Sequence, residues 1–235
     1  MRYLSVLLCL MLAAAMLCLP CAARAGERIG HWVVEAEDSA AVGGIGTDTI
    51  DIVTSAGLSL WWDEPVQMPC VIAYRACVVV GGGVCDRLSD LNCFWMASEP
   101  PAGTSPLTHA ARRGGRFAES YRLQCYYVGY GGNHNTTTRF RRYVGDTLAV
   151  ADAACRPPVL VEYTDRGRLL RPNHWYDIRL TVEPEGTGAR VRYCIDGSTI
   201  VDYFDPQPLG RGWFALRTTW SHLRITAFNI TTART

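Results

Sequence analysis

The stretch Val191-Arg192-Tyr193-Cys194-Ile195-Asp196-Gly197-Ser198-Thr199-Ile200-Val201-Asp202-Tyr203 decides the fold class. On both sides of Asp196-Gly197, residues alternate with the period of two of a strand that has one buried face. Asp-Gly between such runs marks a type I′ turn, because Gly tolerates the positive φ that the turn demands. The stretch therefore reads as a β-hairpin. Working outward, β-rich runs bounded by Gly, Pro, Asn or Asp recur at Trp32–Glu37, Thr49–Val53, Leu58–Trp62, Val71–Val80, Asp90–Met96, Tyr121–Val128, Thr138–Tyr143, Val159–Tyr163, Trp175–Val182, Trp213–Arg217 and Leu223–Ile230. No helical period interrupts them, and no Pro- or Ser-rich linker divides them. So many short antiparallel candidates in one unit imply a single all-β sandwich or barrel.

The first 25 residues read as a secretory signal and not as part of the fold: Arg2 is the basic start, Leu4 to Leu19 the apolar run, and Ala23-Arg24-Ala25 the small-x-small cleavage site. The expected organisation is a signal at 1–25 and one domain at 26–235, secreted or periplasmic, with no membrane insertion after cleavage. All 23 basic residues of the chain are arginine. Losing Arg2 and Arg24 leaves 21 of them against 22 acids, a balance that offers nucleic acid no basic excess. Without lysine there is no Schiff-base or lysine general-base chemistry. Recognition of charged groups falls to arginine, whose planar fork pairs with carboxylates and sulfates.

Cleavage leaves Cys70, Cys77, Cys85, Cys93, Cys125, Cys155 and Cys194, an odd number, in a compartment that permits disulfides. A bridge among Cys70, Cys77 and Cys85, or from one of them to Cys155, would staple long loops, but spacing does not give the connectivity. His31, His109 and His174 have no carboxylate or histidine at ligand spacing, so neither a metal nor a cofactor is expected. GxSxG, HExxH, P-loop and GxGxxG patterns are absent.

Alternation sorts the polar candidates. Phe140 inward puts Arg139, Arg141 and Tyr143 on the opposite face; Leu123 and Cys125 inward put Gln124 and Tyr126 opposite. Phe214 and Leu216 inward expose Trp213 and Arg217, and Leu223 and Ile225 inward leave His222 and Arg224 outside. The densest cluster is Cys125 to Tyr143, where a Gly/Asn turn carries Asn133 and His134 between Tyr126 and the two arginines. Those side chains include each type needed to remove a proton α to a uronate carboxylate: Arg139 or Arg141 to hold the carboxylate, Asn133 to stabilise the enolate, and His134 or Tyr126 to exchange protons. Hairpin chemistry and a solvated arginine face explain the same residues. Trp95 is a stacking platform or a core residue, Asn92 and Gln124 are further candidates for substrate binding, and Arg217, Trp220 and His222 are candidates for the groove rim. Asp86 and Asp90 offer a glycosidase pair or simple caps. Glu99 to Arg116, with three prolines and three arginines, reads as a long functional or disordered loop.

These residues also carry a likeness. Asp196-Gly197, Phe204-Asp205-Pro206, Gly212-Trp213-Phe214-Ala215-Leu216-Arg217 and Phe228-Asn229-Ile230 resemble the closing strands of concanavalin-type lectin and glucanase jelly rolls. Asp90-Leu-Asn-Cys-Phe-Trp95, Tyr126-Tyr-Val-Gly-Tyr-Gly-Gly132 and Thr138-Arg-Phe-Arg-Arg-Tyr143 resemble the YesU-like family. That resemblance implies a concanavalin-type jelly-roll β-sandwich of two antiparallel sheets, and a setting among genes that break down pectic or other uronic-acid polysaccharides. It implies no catalytic residues. The expectation is an exported protein whose partner is a poly- or oligosaccharide, anionic in character. It would act as a β-eliminating lyase, or alternatively as a non-catalytic binding module, with a two-acid glycoside hydrolase as a third reading.

Overall fold

The computed structural model describes residues 21–45 and 48–233, so the apolar run Leu4 to Leu19 of the expected signal lies outside the described residues. Fifteen strands follow in chain order: β1 (Cys21–Ala23), β2 (Arg28–Ile29), β3 (Trp32–Ala36), β4 (Ala40–Gly43), β5 (Thr49–Trp62), β6 (Val66–Gln67), β7 (Cys70–Val78), β8 (Leu91–Ser98), β9 (Gln124–Gly131), β10 (Thr137–Val144), β11 (Val161–Tyr163), β12 (Trp175–Glu185), β13 (Gly188–Ile195), β14 (Ser198–Asp205) and β15 (Arg211–Thr232). The hairpin β13–β14 turns on Asp196 and Gly197 with φ of 49° and 75°, the two positive angles that its sequence demands.

All pairings are antiparallel, and they build two layers. The front layer runs β11-β10-β9-β8, then the first half of β15, the second half of β5, β3 and β2. The back layer runs β1-β4, the first half of β5, the second half of β15, β7, β12, β13 and β14. The all-β jelly-roll sandwich expected from the sequence is thus the observed fold. Thr49–Val53 and Leu58–Trp62 are one strand, as are Trp213–Arg217 and Leu223–Ile230, because β5 and β15 each cross from one layer to the other. At the crossing in β5, Gly57 is required: a Cβ there would stand 2.3 Å from the Gly115 carbonyl.

Between the layers, Trp95, Phe140 and Phe214 of the front meet Tyr193, Tyr203 and Tyr74 of the back at ring separations of 6.4, 5.4 and 5.6 Å. Burying each such side chain contributes about 1.5–3 kcal/mol. A second core covers the outer face of the front layer, where Trp61, Phe94, Leu123, Cys125, Tyr127 and Tyr143 pack under Ala110, Tyr121 and Ala149. Both faces of β9 are therefore buried, which is why alternation misassigns its faces: Tyr126 and Val128 point into the sandwich, Cys125 and Tyr127 outward.

The cover is residues 99–123: Glu99 to Arg116, read from sequence as a loop, and Tyr121 to Leu123, read as the start of a strand, are found here with short helical turns at Pro106–His109, Ala110–Arg113 and Phe117–Arg122. Arg113 fastens it. Only 2% exposed, its guanidinium donates to Glu35 at 2.6 and 3.1 Å, to the Pro106 carbonyl at 2.7 Å, and to Glu99. Glu35 also accepts from the Trp61 indole at 2.9 Å, so charge, ring and segment form one unit.

All seven cysteines from Cys70 onward are free thiols, which corrects the disulfide staple expected from composition. Cys70, Cys77, Cys93 and Cys125 are buried on strands, where apolar burial pushes the thiol of Cys70 up to about 11 and that of Cys93 up to about 12. They behave as small hydrophobes. β1 includes residues expected in the signal, and cleavage after Ala25 would remove it from the β4 edge.

Candidate functional site

Register sets out the front face. Reading across from β11 to β3, the cross-strand row is Glu162, Arg139, Gly129, Asn92, Arg217, Ser59 and Glu35. Directly opposed residues share a face, so Arg139 and Arg217, 78 positions apart in sequence, lie in one row on the outer surface. The neighbouring pair Arg141 and Tyr127 forms part of the next row.

Over these rows opens a groove of about 340 Å³. Its floor is Asn92, Tyr127 and Gly129; Arg139 and Arg141 of β10 line it, as do Phe117 and Tyr121 of the covering segment with Arg156 beside Tyr121. Asp90, Asn133, Thr137 and Thr219 close one end. Gly129 is needed in the floor, because a Cβ would come within 2.7 Å of the Tyr127 hydroxyl that lies across it.

The charges are fixed from outside. The Arg139 guanidinium donates to Glu162 at 2.8 Å, Arg141 donates to the Pro157 carbonyl, and Arg156 stands over the Tyr121 ring at 5.5 Å. Asp90, the only carboxylate among the lining residues described, accepts from Arg87 at 2.6 Å, the Ser89 hydroxyl at 2.8 Å and the Asn92 amide at 3.3 Å. Burial, reinforced by the negative charge of Asp90, pushes the Tyr127 phenol far above its ordinary value, so it remains a proton donor at neutral pH. The groove thus offers three cations, a phenol O–H and two aromatic rings. That inventory suits an anionic, polyhydroxylated ligand.

Asn92, Asn133, Arg139 and Arg141 of the sequence-based candidates line the groove. Arg217 belongs to the same row but is 2% exposed: it lies beneath Phe117 and donates to the Gly115 carbonyl and, at 3.2 Å, to the Thr219 hydroxyl. His134 stands beyond the groove's closed end, with Nδ1 3.3 Å from Arg87. Gln124 is at the far end of β9, where its amide donates to the Val144 carbonyl at 3.4 Å. His222 is held between Asp51 at 2.8 Å and Asp86 at 3.0 Å. Asp86 also accepts from the Gly83 and Gly81 amides, which hold its carboxyl below the usual range. It therefore serves a turn and does not pair with Asp90.

Trp95 and Tyr126 are core residues, both fully buried, with their rings 5.6 Å apart and tilted by 43°. The Tyr126 hydroxyl donates to Asp205 at 2.7 Å and accepts from the Leu209 amide at 3.1 Å. Tyr126→Phe is expected to cost about 1–3 kcal/mol of stability, because buried Asp205 loses a donor. It should leave groove binding unchanged, and denaturant unfolding beside ligand titration checks both. A fall in ligand affinity at unchanged stability would return Tyr126 to the site.

Phe117, Tyr121, Tyr127 and Arg156 were not candidates from sequence. Tyr121 and Tyr127 have the parity that alternation assigned inward with Leu123 and Cys125, and Phe117 and Arg156 come from irregular segments whose position has no periodic signal. His31, Asp63 and Glu64 also converge, with ligand atoms within 4.8 Å of one another, and Arg28 already neutralises Asp63.

A family model described as a domain of unknown function, DUF6250, matches residues 52–228. No curated protein matches the sequence. Among solved structures, the chain is similar to a protein of unknown function with a galectin-like fold from Bacillus subtilis, at 14% identity and TM-score 0.62 over 86% of this chain and 89% of that one. It is also similar to the carbohydrate-binding module CBM66 from Bacillus subtilis, at 11% identity and TM-score 0.52 over 86% and 96% of the two chains. A legume lectin-like domain from Entamoeba histolytica matches at 6% identity and TM-score 0.52 over 87% and 91%. At these identities the likeness is one of fold.

Proposed function

We propose that this chain, which belongs to the DUF6250 family, is an exported carbohydrate-binding protein whose groove takes a uronic-acid-containing glycan without cleaving it. One observation carries the reading: Arg139, Arg141 and Arg156 converge on a groove whose only described carboxylate, Asp90, is already neutralised by Arg87. Arg139 is paired with Glu162, but Arg141 and Arg156 have no ion-pair partner among the described residues, so the site has positive charge left for a sugar carboxylate and phenyl rings for its apolar face. The basic start at Arg2, the apolar run after it and the Ala23-Arg24-Ala25 site support export. The fold it shares with a carbohydrate-binding module supports the ligand class, as does the likeness to the YesU-like family.

Binding is favoured over β-elimination because neither proton-exchanging candidate reaches the groove: Tyr126 is in the core and His134 is beyond the closed end. Tyr127 is present but is held protonated. Two-acid hydrolysis lacks its second acid, since Asp86 is committed to its turn and to His222.

Incubation with pectic, alginate and glycosaminoglycan oligosaccharides, followed by calorimetry and ultraviolet absorbance, tests this. Saturable binding to at least one uronate oligomer is expected, with no unsaturated chromophore and no new reducing ends. Appearance of the chromophore would instead establish the lyase.

A further inference from the structure

Backbone strain gathers at the closed end of the groove. Asp90, Asn133, His134 and Trp220 have φ of 63°, 52°, 58° and 43°. A left-handed φ is uncommon for any non-glycine residue and a true outlier for one as bulky as tryptophan. Such residues persist only where their surroundings hold them.

Arg87 ties three of them together. Its guanidinium donates to Asp90 at 2.6 Å, lies 3.3 Å from His134 Nδ1, and donates to the Trp220 carbonyl at 3.0 Å and to the Thr219 carbonyl. Trp220 sits at a register irregularity between Thr219 and Ser221, where the facing stretch of β5 from Gly57 to Thr54 has one residue more than β15. Thr218 and Ser221 beside it are buried, whereas the indole is turned out and 47% exposed. The ring is nonetheless fixed: Nε1 donates to the Val84 carbonyl at 2.9 Å, and Arg87 packs against it 5.6 Å from the ring centre. Thr219, one residue away, lines the groove. An exposed, immobilised aromatic ring at the end of a polar groove has its stacking surface ready at little further entropic cost.

We propose that Trp220 is a second subsite, a platform for the sugar ring that follows the one held by the arginines, so that the groove selects oligosaccharides over monosaccharides. This rests on the carbohydrate-binding reading above and adds the ligand's length and direction: along the groove, past Thr219, onto the indole. Arg87 is the positioning residue that holds the platform.

Calorimetric titration with uronic-acid mono- and tetrasaccharide tests it on wild type, Trp220→Ala, Trp220→Tyr and Arg141→Ala, with circular dichroism to confirm folding. In wild type the tetrasaccharide is expected to bind more tightly than the monosaccharide. Trp220→Ala should weaken the tetrasaccharide by about tenfold, the equivalent of an aromatic contact of about 1.4 kcal/mol. It should leave the monosaccharide unchanged, and Trp220→Tyr should recover part of the loss. Arg141→Ala should weaken both lengths. A Trp220→Ala protein that binds both lengths as wild type does, or that loses both equally, overturns the platform while the groove stands. Failure of wild type to bind either length overturns the groove and the platform together.

Discussion

Replacing Arg113 by alanine is expected to destabilise the fold by about 3–5 kcal/mol, because it strands a buried carboxylate. The Arg113 and Glu35 side chains are 2% and 3% exposed, and Glu35 would keep only the Trp61 indole as a donor. Glu99 and the Pro106 carbonyl would lose a donor in the same substitution. Most domains have only 5–15 kcal/mol of stability, so a loss of this size is close to the limit for folding. Residues 99–123 should open first, since Arg113 is their only buried ionic anchor among the described residues, and their amides should exchange faster in the variant. Arg224→Ala is the control: that arginine faces Asp51 at 3.2 Å with both side chains well exposed, and its loss should cost less than about 1 kcal/mol. Urea unfolding of both variants checks the contrast. Equal small effects would mean that the second core holds the segment without the charge.

The second large effect is on binding. Arg141→Ala and Arg139→Ala are each expected to weaken uronate binding by about 10- to 100-fold, the equivalent of a charge-assisted hydrogen bond of about 1.5–3 kcal/mol. The two arginines stand in adjacent rows of β10, so their losses should not add. Lysine should restore only part of the affinity at either position, because an ammonium lacks the planar fork that meets a carboxylate with two parallel bonds. Added salt should weaken the wild-type complex, since Arg139 is one-third exposed. Isothermal titration of the single variants, the double variant and the lysine variants measures all of this. Unchanged affinity in Arg141→Ala would place the sugar elsewhere.

What the sequence revealed and what it hid follow from how many faces of each strand are buried. β10 has one face in the sandwich and one in the groove, and its alternation placed Phe140 inward with Arg139 and Arg141 outward, as observed. β9 is covered on both sides, so every second residue is apolar on both faces and the period of two carries no information about direction. Tyr126 and Tyr127 illustrate this: identical neighbours, one a core residue bonded to Asp205 and the other the floor of the groove. Strand count failed for a different reason. Thr54 to Gly57 and Thr219 to Ser221 have the composition of turns, yet there the chain bends between layers without reversing. The cover over the front face could not be read locally at all, because what orders residues 99–123 is a buried ion pair to Glu35, 78 positions from Arg113.

Recognition of a carboxylate by the arginine groove is the claim on which the functional account depends. It is tested most directly by calorimetric titration of the wild-type protein with one uronate oligosaccharide and with the same oligosaccharide after its carboxylates have been reduced to alcohols. The charged form is expected to bind at least about tenfold more tightly, as the loss of one charge-assisted pair implies. Equal affinity for the two forms would contradict it.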